Sequence, residues 1–238
     1  MGHRGVAGLA PENTLVSLRK VAECGLSWVE FDVMLAGDGV PVLFHDDTLE
    51  RTTGRAGLVA ETPSEELLSF DAGAWFGPEF EGALVPSFAA SLDLALECDL
   101  RLNVEIKPTA GTEIETAHAV VAELSSLWPA SAPIPLISSI HSSCLEVAKA
   151  LRPDWPRGLV TFELSDNWRD DLLGLECASF HLWHELTHRD LVREVKDMGM
   201  EMACFTVNEA PLARRLFAIG VDCLITDDPP AILGALDE

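Results

Sequence analysis

Along most of the chain, short apolar or alternating runs take turns with helical patterns, and this alternation constrains the fold more than any other feature. Runs that read as strands cover 27–34, 41–45, 101–107, 134–138, 158–162, 178–183, 201–207 and 222–226. Helical patterns cover 13–24, 87–98, 112–127, 142–151, 188–198 and 209–219. Such alternation implies a parallel sheet, either doubly wound or closed as a barrel. With a strand at the extreme N-terminus, the count is one more than an eight-stranded barrel needs. Segment 41–45 is the surplus. Only six residues, Leu35 to Val40, separate it from 27–34, and Gly37-Asp38-Gly39 reads as a turn. A helical crossover does not fit there, so a hairpin is expected. Residues 46–86 break the rhythm with Pro, Gly and aromatics, and are expected to form an inserted loop or subdomain within a single domain spanning 1–238. In helix 13–24, Asn13 is the candidate N-cap and Gly25 follows the end. Helix 112–127 carries Ile114, Ala117, Val121 and Leu124 at the spacing of one buried face.

Charge narrows the partners. Sixteen Lys and Arg against 39 Asp and Glu leave a formal charge of −23, which offers no basic surplus to nucleic-acid phosphates and repels anionic membranes. A small substrate gathered by a local positive site remains open. The cysteines at 24, 98, 144, 177, 204 and 223 have no C-x-x-C spacing and sit in apolar-patterned segments. Buried free thiols in a reducing compartment are expected, not disulfides or a zinc site. No secretory signal or apolar run of spanning length is visible, so a cytoplasmic location is the default.

Strand 27–34 carries the first chemical signal. At period two, Trp28, Glu30 and Asp32 share one face, and Val29, Phe31 and Val33 the other. Two carboxylates on a buried strand are costly unless compensated. A hard divalent cation such as Mg²⁺ or Ca²⁺ would compensate them, since both prefer oxygen ligands; a solvated edge pair is the alternative. Strand 101–107 repeats the pattern with Asn103, Glu105 and Lys107 on one face. In a barrel, Glu105 could join Glu30 and Asp32 around one metal. Lys107 would then stand at the strand's C-terminal end, where barrel active sites lie.

His3 precedes Arg4-Gly5, and His45 precedes Asp46-Asp47 at a strand end. Two histidines, three carboxylates, Arg4 and Lys107 at strand ends suit phosphate-ester cleavage. Cationic groups offset phosphodiester charge, one His takes a proton from the nucleophile, and the other gives one to the leaving alkoxide.

The series HRG, PENT, VEFDV, DGVPVLFHDDTLERTTGRAG, FDAGAWFGPEF, VPSF, NVEIKP, FTVN and GVDCLITDDP resembles the glycerophosphodiester phosphodiesterase family, in order and over nearly the whole chain. The RGLV, DNWRD and FHLWH segments are most similar to cytosolic bacterial members. The resemblance implies an α/β fold, a TIM (β/α)8 barrel with an insertion after the third strand, where 46–86 lies. It implies metal-dependent hydrolysis of glycerophosphodiesters to sn-glycerol 3-phosphate and an alcohol. His3 and His45 would be the acid/base pair, with His3 read as base and His45 as acid, an order the sequence does not fix. Glu30, Asp32 and Glu105 would hold Mg²⁺ or Ca²⁺, and Arg4 and Lys107 would contact phosphate. The nucleophile would be the substrate's adjacent hydroxyl, through a cyclic phosphate, or a metal-bound water. Glu12 of PENT would support the site by hydrogen bonding, or is a first-turn carboxylate favoured by the helix dipole. Phe205 would line the pocket, or is a core aromatic; Asn208 is a ligand or an N-cap. Trp75 and Phe76 would shape the glycerol side or pack the insertion's core. His118, His141, His181, His184 and His188 match no catalytic motif, although His181 lies in a strand run that can turn it into the barrel.

Family members carry several apolar residues before HRG, whereas only Met1 and Gly2 precede His3 here. The first strand is therefore expected to be truncated, leaving backbone groups of its neighbours unpaired and the place of His3 open. Two other functions are carried forward. A lysophospholipase D or phospholipase-type phosphodiesterase would need an exposed apolar rim at the pocket. A non-catalytic glycerophosphodiester-binding barrel would lack a histidine or carboxylate, or would misplace His3. The partner in every reading is a small molecule, without nucleic acid or stable membrane association; the oligomeric state is not legible.

Overall fold

The computed structural model describes residues 1–236. Strands β1 (Trp28–Leu35), β2 (Pro41–Leu43), β3 (Arg101–Ile106), β4 (Leu136–Ser139), β5 (Arg157–Thr161), β6 (Ser179–Trp183), β7 (Glu201–Phe205) and β8 (Cys223–Leu224) form one sheet in the order β2-β1-β3-β4-β5-β6-β7-β8. All pairings are parallel except β1 with β2, where Val33 faces Leu43 and Leu35 faces Pro41 in an antiparallel hairpin. Segment 41–45 is thus the surplus strand that its short connection implied.

The first stave is a single bridge. Gly2 pairs in parallel with Val29 on one side and Thr226 on the other. Gly2 N donates to Trp28 O at 3.1 Å and Glu30 N to Gly2 O at 2.8 Å, while His3 N donates to Thr226 O at 2.9 Å and Thr226 N to Met1 O at 3.1 Å. These bonds satisfy the backbone groups of both neighbours, close the curled sheet into a TIM barrel and fix the position of His3 at the stave's end.

Helix α1 (Leu15–Glu23) precedes β1, and helices Phe88–Glu97, Glu113–Leu127, Ser142–Leu151, Trp168–Gly174, Arg189–Asp197 and Ala210–Ala218 each lead into the next strand. Trp168–Gly174, at seven residues, is too short to show a periodic pattern and was not expected from the sequence. The outward strand residues Val29, Phe31, Val33, Leu102, Val104 and Ile106 are all buried to within 1% and pack under the helices. Helix Glu113–Leu127 buries Thr116, Ala117, Val120, Val121 and Leu124, but Ile114 is 51% exposed. Helical side chains lean towards the N-terminus, so a first-turn residue points past the packed surface.

The cap of α1 is Thr14, not Asn13. Thr14 is extended and its hydroxyl accepts from Ser17 N, while Asn13 has φ 53° and turns its side chain to the barrel interior. Asn208 likewise does not cap helix Ala210–Ala218, whose cap position is Glu209. The insertion 46–86 has a core of its own, in which Met34 and Val42 pack with Leu49, Val59, Leu67 and Phe70. Trp75 and Phe76 belong to neither that core nor the pocket. They form an edge-to-face ladder with Phe80, and Trp75 carries Arg51 over its ring. All six cysteines are free thiols, Cys144, Cys177 and Cys204 buried. Among the described residues no helix is long and apolar enough to cross a membrane.

Candidate active site

Strand alternation and register build the centre of the site. Glu30 and Asp32 project inward from β1 at 2% exposure each, and the parallel register sets Glu105 of β3 directly beside Asp32. Ligand oxygens of the three carboxylates lie within 4.8 Å of one another. Packing three carboxylates so tightly raises the cost of ionising them. Burial, then the charges of Asp32 and Glu105, push Glu30 well above the usual carboxylate range. Burial and Asp32 push Glu105 to about 7. Burial also pushes on Asp32, but the charges of Arg4, Lys107 and His45 and the Asn13 hydrogen bond outweigh it and hold that carboxyl low. A compact, oxygen-only, electron-rich donor set of this kind fits a hard divalent cation, whose charge would offset the mutual repulsion.

Cationic groups surround the cluster. Arg4 follows the Gly2 bridge in the left-handed region (φ 49°), which aims its guanidinium inward. Its backbone N donates to Glu30 Oε2 at 2.8 Å, and Nε lies 3.4 Å from Asp32 Oδ2. Gly5 makes this turn possible: a Cβ there would stand 2.2 Å from Ser17 Oγ of α1. Lys107 follows β3, and its Nζ lies 4.0 Å from Asp32 Oδ1. Asn13 clamps the other side of Asp32, donating from Nδ2 to Oδ2 at 2.9 Å and accepting from the backbone N at 3.2 Å.

Both candidate histidines line the same cleft. Each has Nδ1 2.6 Å from a carboxylate oxygen, His3 on Asp227 and His45 on Asp46. Asn208 holds Asp227 in turn, donating from Nδ2 at 2.6 Å and accepting from its backbone N at 2.9 Å. Burial, with Arg4 and Lys107 assisting, lowers the His45 pKa against the pull of Asp32 and Asp46. The Arg51 hydrogen bond holds Asp46 well below the usual carboxylate range. Arg51 also reaches Glu12 through Nη1 at 2.7 Å, and Glu12 accepts from Arg4 Nη1 at 2.8 Å. A chain of ion pairs thus runs from Arg4 through Glu12 and Arg51 to Asp46, which hydrogen-bonds His45. Glu12 accepts hydrogen bonds from both Arg4 and Arg51.

The cleft encloses about 560 Å³, its open mouth included. Its second wall is apolar. Phe205 lies there at 8% exposure, packed with Val160 and Ile225, and its ring meets Phe162 edge to face at 4.9 Å. Phe205 is therefore both a lining residue and a core aromatic. His181 of β6 also faces the cleft. Among the remaining histidines, His188 caps helix Arg189–Asp197 by accepting from Leu191 N.

All the sequence candidates, His3, Arg4, Glu30, Asp32, His45, Glu105, Lys107 and Phe205, meet around this cleft, with Glu12 behind Arg4. Sequence reasoning did not identify Asp46, Asp227, Asn13 or Arg51. Asp46 was detectable as the direct neighbour of His45. Asp227 lies within a recognised motif, but its partner is 224 positions away.

Comparison with known proteins agrees with this geometry. The model of the glycerophosphoryl diester phosphodiesterase family matches residues 3–231. A phosphodiesterase from Oleispira antarctica, solved in complex with the product sn-glycerol 3-phosphate, is 40% identical, with TM-score 0.96 over 100% of this chain and 96% of its own. The glycerophosphodiester phosphodiesterase of Caldanaerobacter subterraneus is 30% identical over 98% of this chain and 95% of that protein. A glycerophosphodiester phosphodiesterase structure from Parabacteroides distasonis, at 23% identity and TM-score 0.82, shares the fold over 99% of this chain and 95% of its own. The chain belongs to the glycerophosphoryl diester phosphodiesterase family.

Proposed function

We propose that the chain hydrolyses glycerophosphodiesters to sn-glycerol 3-phosphate and an alcohol, with His3 and His45 as general acid and base. The observation that carries this reading is that two histidines, each with Nδ1 held by a carboxylate, share one cleft with the Glu30–Asp32–Glu105 cluster. Nδ1–H donated to a carboxylate leaves Nε2 as the atom free to move a proton. One imidazole takes the proton of the attacking hydroxyl or water as its oxygen bonds to phosphorus. The other gives a proton to the alcohol oxygen as the P–O bond breaks. Glu30, Asp32 and Glu105 hold Mg²⁺ or Ca²⁺, which when bound supplies positive charge against the phosphodiester. Arg4 and Lys107 contact the phosphate from the same side, and Phe205 presents its ring to the carbon skeleton. The likeness to a protein that binds sn-glycerol 3-phosphate supports the product assignment. The six free thiols suit the cytoplasm.

Release of sn-glycerol 3-phosphate from a panel of glycerophosphodiesters, with and without EDTA, tests this reading. Turnover that chelation abolishes and Mg²⁺ or Ca²⁺ restores is expected; turnover indifferent to EDTA would overturn the metal role. His45→Ala should lose turnover while keeping metal binding.

One observation favours a second reading. Ile140 at 40% and Phe162 at 55% exposure give the cleft an apolar rim, as a lysophospholipase D or phospholipase-type phosphodiesterase would need. Lysophosphatidylcholine in the same panel separates the two. The non-catalytic binding barrel has no support in the geometry, because His3 is held in place and every expected carboxylate is present.

A further inference from the structure

His181 has no part in the reaction described above, yet it is 2% exposed and lines the catalytic cleft. Its surroundings are built around it. Ser179, two residues earlier on the same face of β6, meets Nε2 at 2.9 Å. The neighbouring strand has Gly158 where the ring passes: a Cβ there would stand 2.7 Å from Nε2 and 3.0 Å from Cε1. The ring is thus held on one edge by a hydroxyl and given room by a missing side chain. Nδ1 is buried and has no hydrogen-bond partner. A buried polar atom of this kind is costly unless something meets it.

Resting on the proposed hydrolysis of glycerophosphodiesters, we infer that His181 Nδ1 binds a hydroxyl group of the substrate's glycerol moiety and so selects glycerol phosphates over simple alkyl phosphates. The wall around it carries Val160, Phe205 and Ile225, which suit the CH and CH₂ groups of a short polyol. A hydroxyl is the ligand that matches this nitrogen in both tautomers. If Nε2–H donates to Ser179 Oγ, Nδ1 accepts from the ligand. If Ser179 donates, Nδ1–H donates to it. Burial also pushes the His181 pKa down to about 4, so the ring is neutral at neutral pH and offers no charge to a phosphate. The anionic end of the ligand therefore belongs to the opposite wall, with Arg4 and Lys107.

The test compares the affinities of sn-glycerol 3-phosphate and n-propyl phosphate, which has the same carbons and no hydroxyls, by calorimetry with Mg²⁺ and separately with Ca²⁺. The wild-type chain is expected to prefer glycerol phosphate. His181→Leu should narrow that preference roughly 5- to 10-fold, the value of one hydrogen bond to a buried group, and His181→Gln should restore part of it. Gly158→Ala presses on the Nε2 edge of the ring, where Ser179 holds it, and should narrow the preference as well; circular dichroism and the melting temperature report whether each variant folds. A preference that survives both His181→Leu and Gly158→Ala would overturn the inference while leaving the proposed function standing. A wild-type chain that neither hydrolyses glycerophosphodiesters nor binds glycerol phosphate would overturn both.

Discussion

His3 Nδ1 and Asp227 Oδ1 meet at 2.6 Å although 224 positions separate them in the chain. His45 makes the same 2.6 Å contact with its immediate neighbour Asp46. The two histidines are thus equivalently oriented by carboxylates of very different origin. Asp227→Asn should favour the wrong tautomer of His3 and lower kcat by about 10²- to 10⁴-fold with KM little changed. Steady-state kinetics on a glycerophosphodiester check this, and near-normal kcat would remove Asp227 from the proton-transfer machinery.

Glu105 ties the proposed metal site to pH and stability. Its pKa of about 7 lies above the ordinary 4.5, so between those values the folded state holds more protons than the unfolded state. This contribution is present below about 4.5 and is lost as pH rises through about 7. In EDTA at pH 8, Glu105→Gln should therefore melt higher than the wild-type chain, by roughly 5 °C, and show little gain at pH 5. Added Mg²⁺ or Ca²⁺ should reverse the order at pH 8 by stabilising only the wild type. Equal melting temperatures in EDTA at pH 8 would show that the carboxylates do not repel as described.

Glu12 stands between Arg4 and Arg51, accepting at 2.8 Å and 2.7 Å with only 9% of its side chain exposed. Glu12→Gln leaves two guanidinium groups short of a charge in a partly buried place. A stability loss of about 1–3 kcal/mol is expected in urea unfolding. KM should also rise, because Arg4 loses the restraint that holds it toward the proposed phosphate position. A loss of stability with unchanged KM would confine Glu12 to a structural role.

The charge of −23 surrounds a small positive wall made by Arg4 and Lys107. An anionic diester approaches against that outer field, so raising NaCl from 20 to about 300 mM should lower KM or leave it unchanged. A marked rise in KM with salt would mean that the field at the mouth is attractive.

Several features of the site were legible locally. Period-two alternation on 27–34 and 101–107 put Glu30 with Asp32 on one strand face and Glu105 with Asn103 on another, because a strand pleat is a local property; the structure turns both faces inward. The six residues between 27–34 and 41–45 were enough to require a hairpin. Other features depended on contacts that local patterns do not record. Asn13 read as a cap until the structure turned it to Asp32, leaving the cap to Thr14. Asn208 read as a cap or ligand and instead holds Asp227.

By itself, then, the sequence determined the alternating architecture, the surplus hairpin strand and the residue types available for chemistry, since each follows from spacing along the chain. Only the tertiary structure decided that a one-residue bridge at Gly2 closes the barrel, that Asp227 orients His3, and that His181 turns an unpartnered nitrogen into the interior. The physical reason is that barrel closure brings the first and last staves together. Hydrogen bonds between them satisfy groups that periodicity along either segment cannot pair.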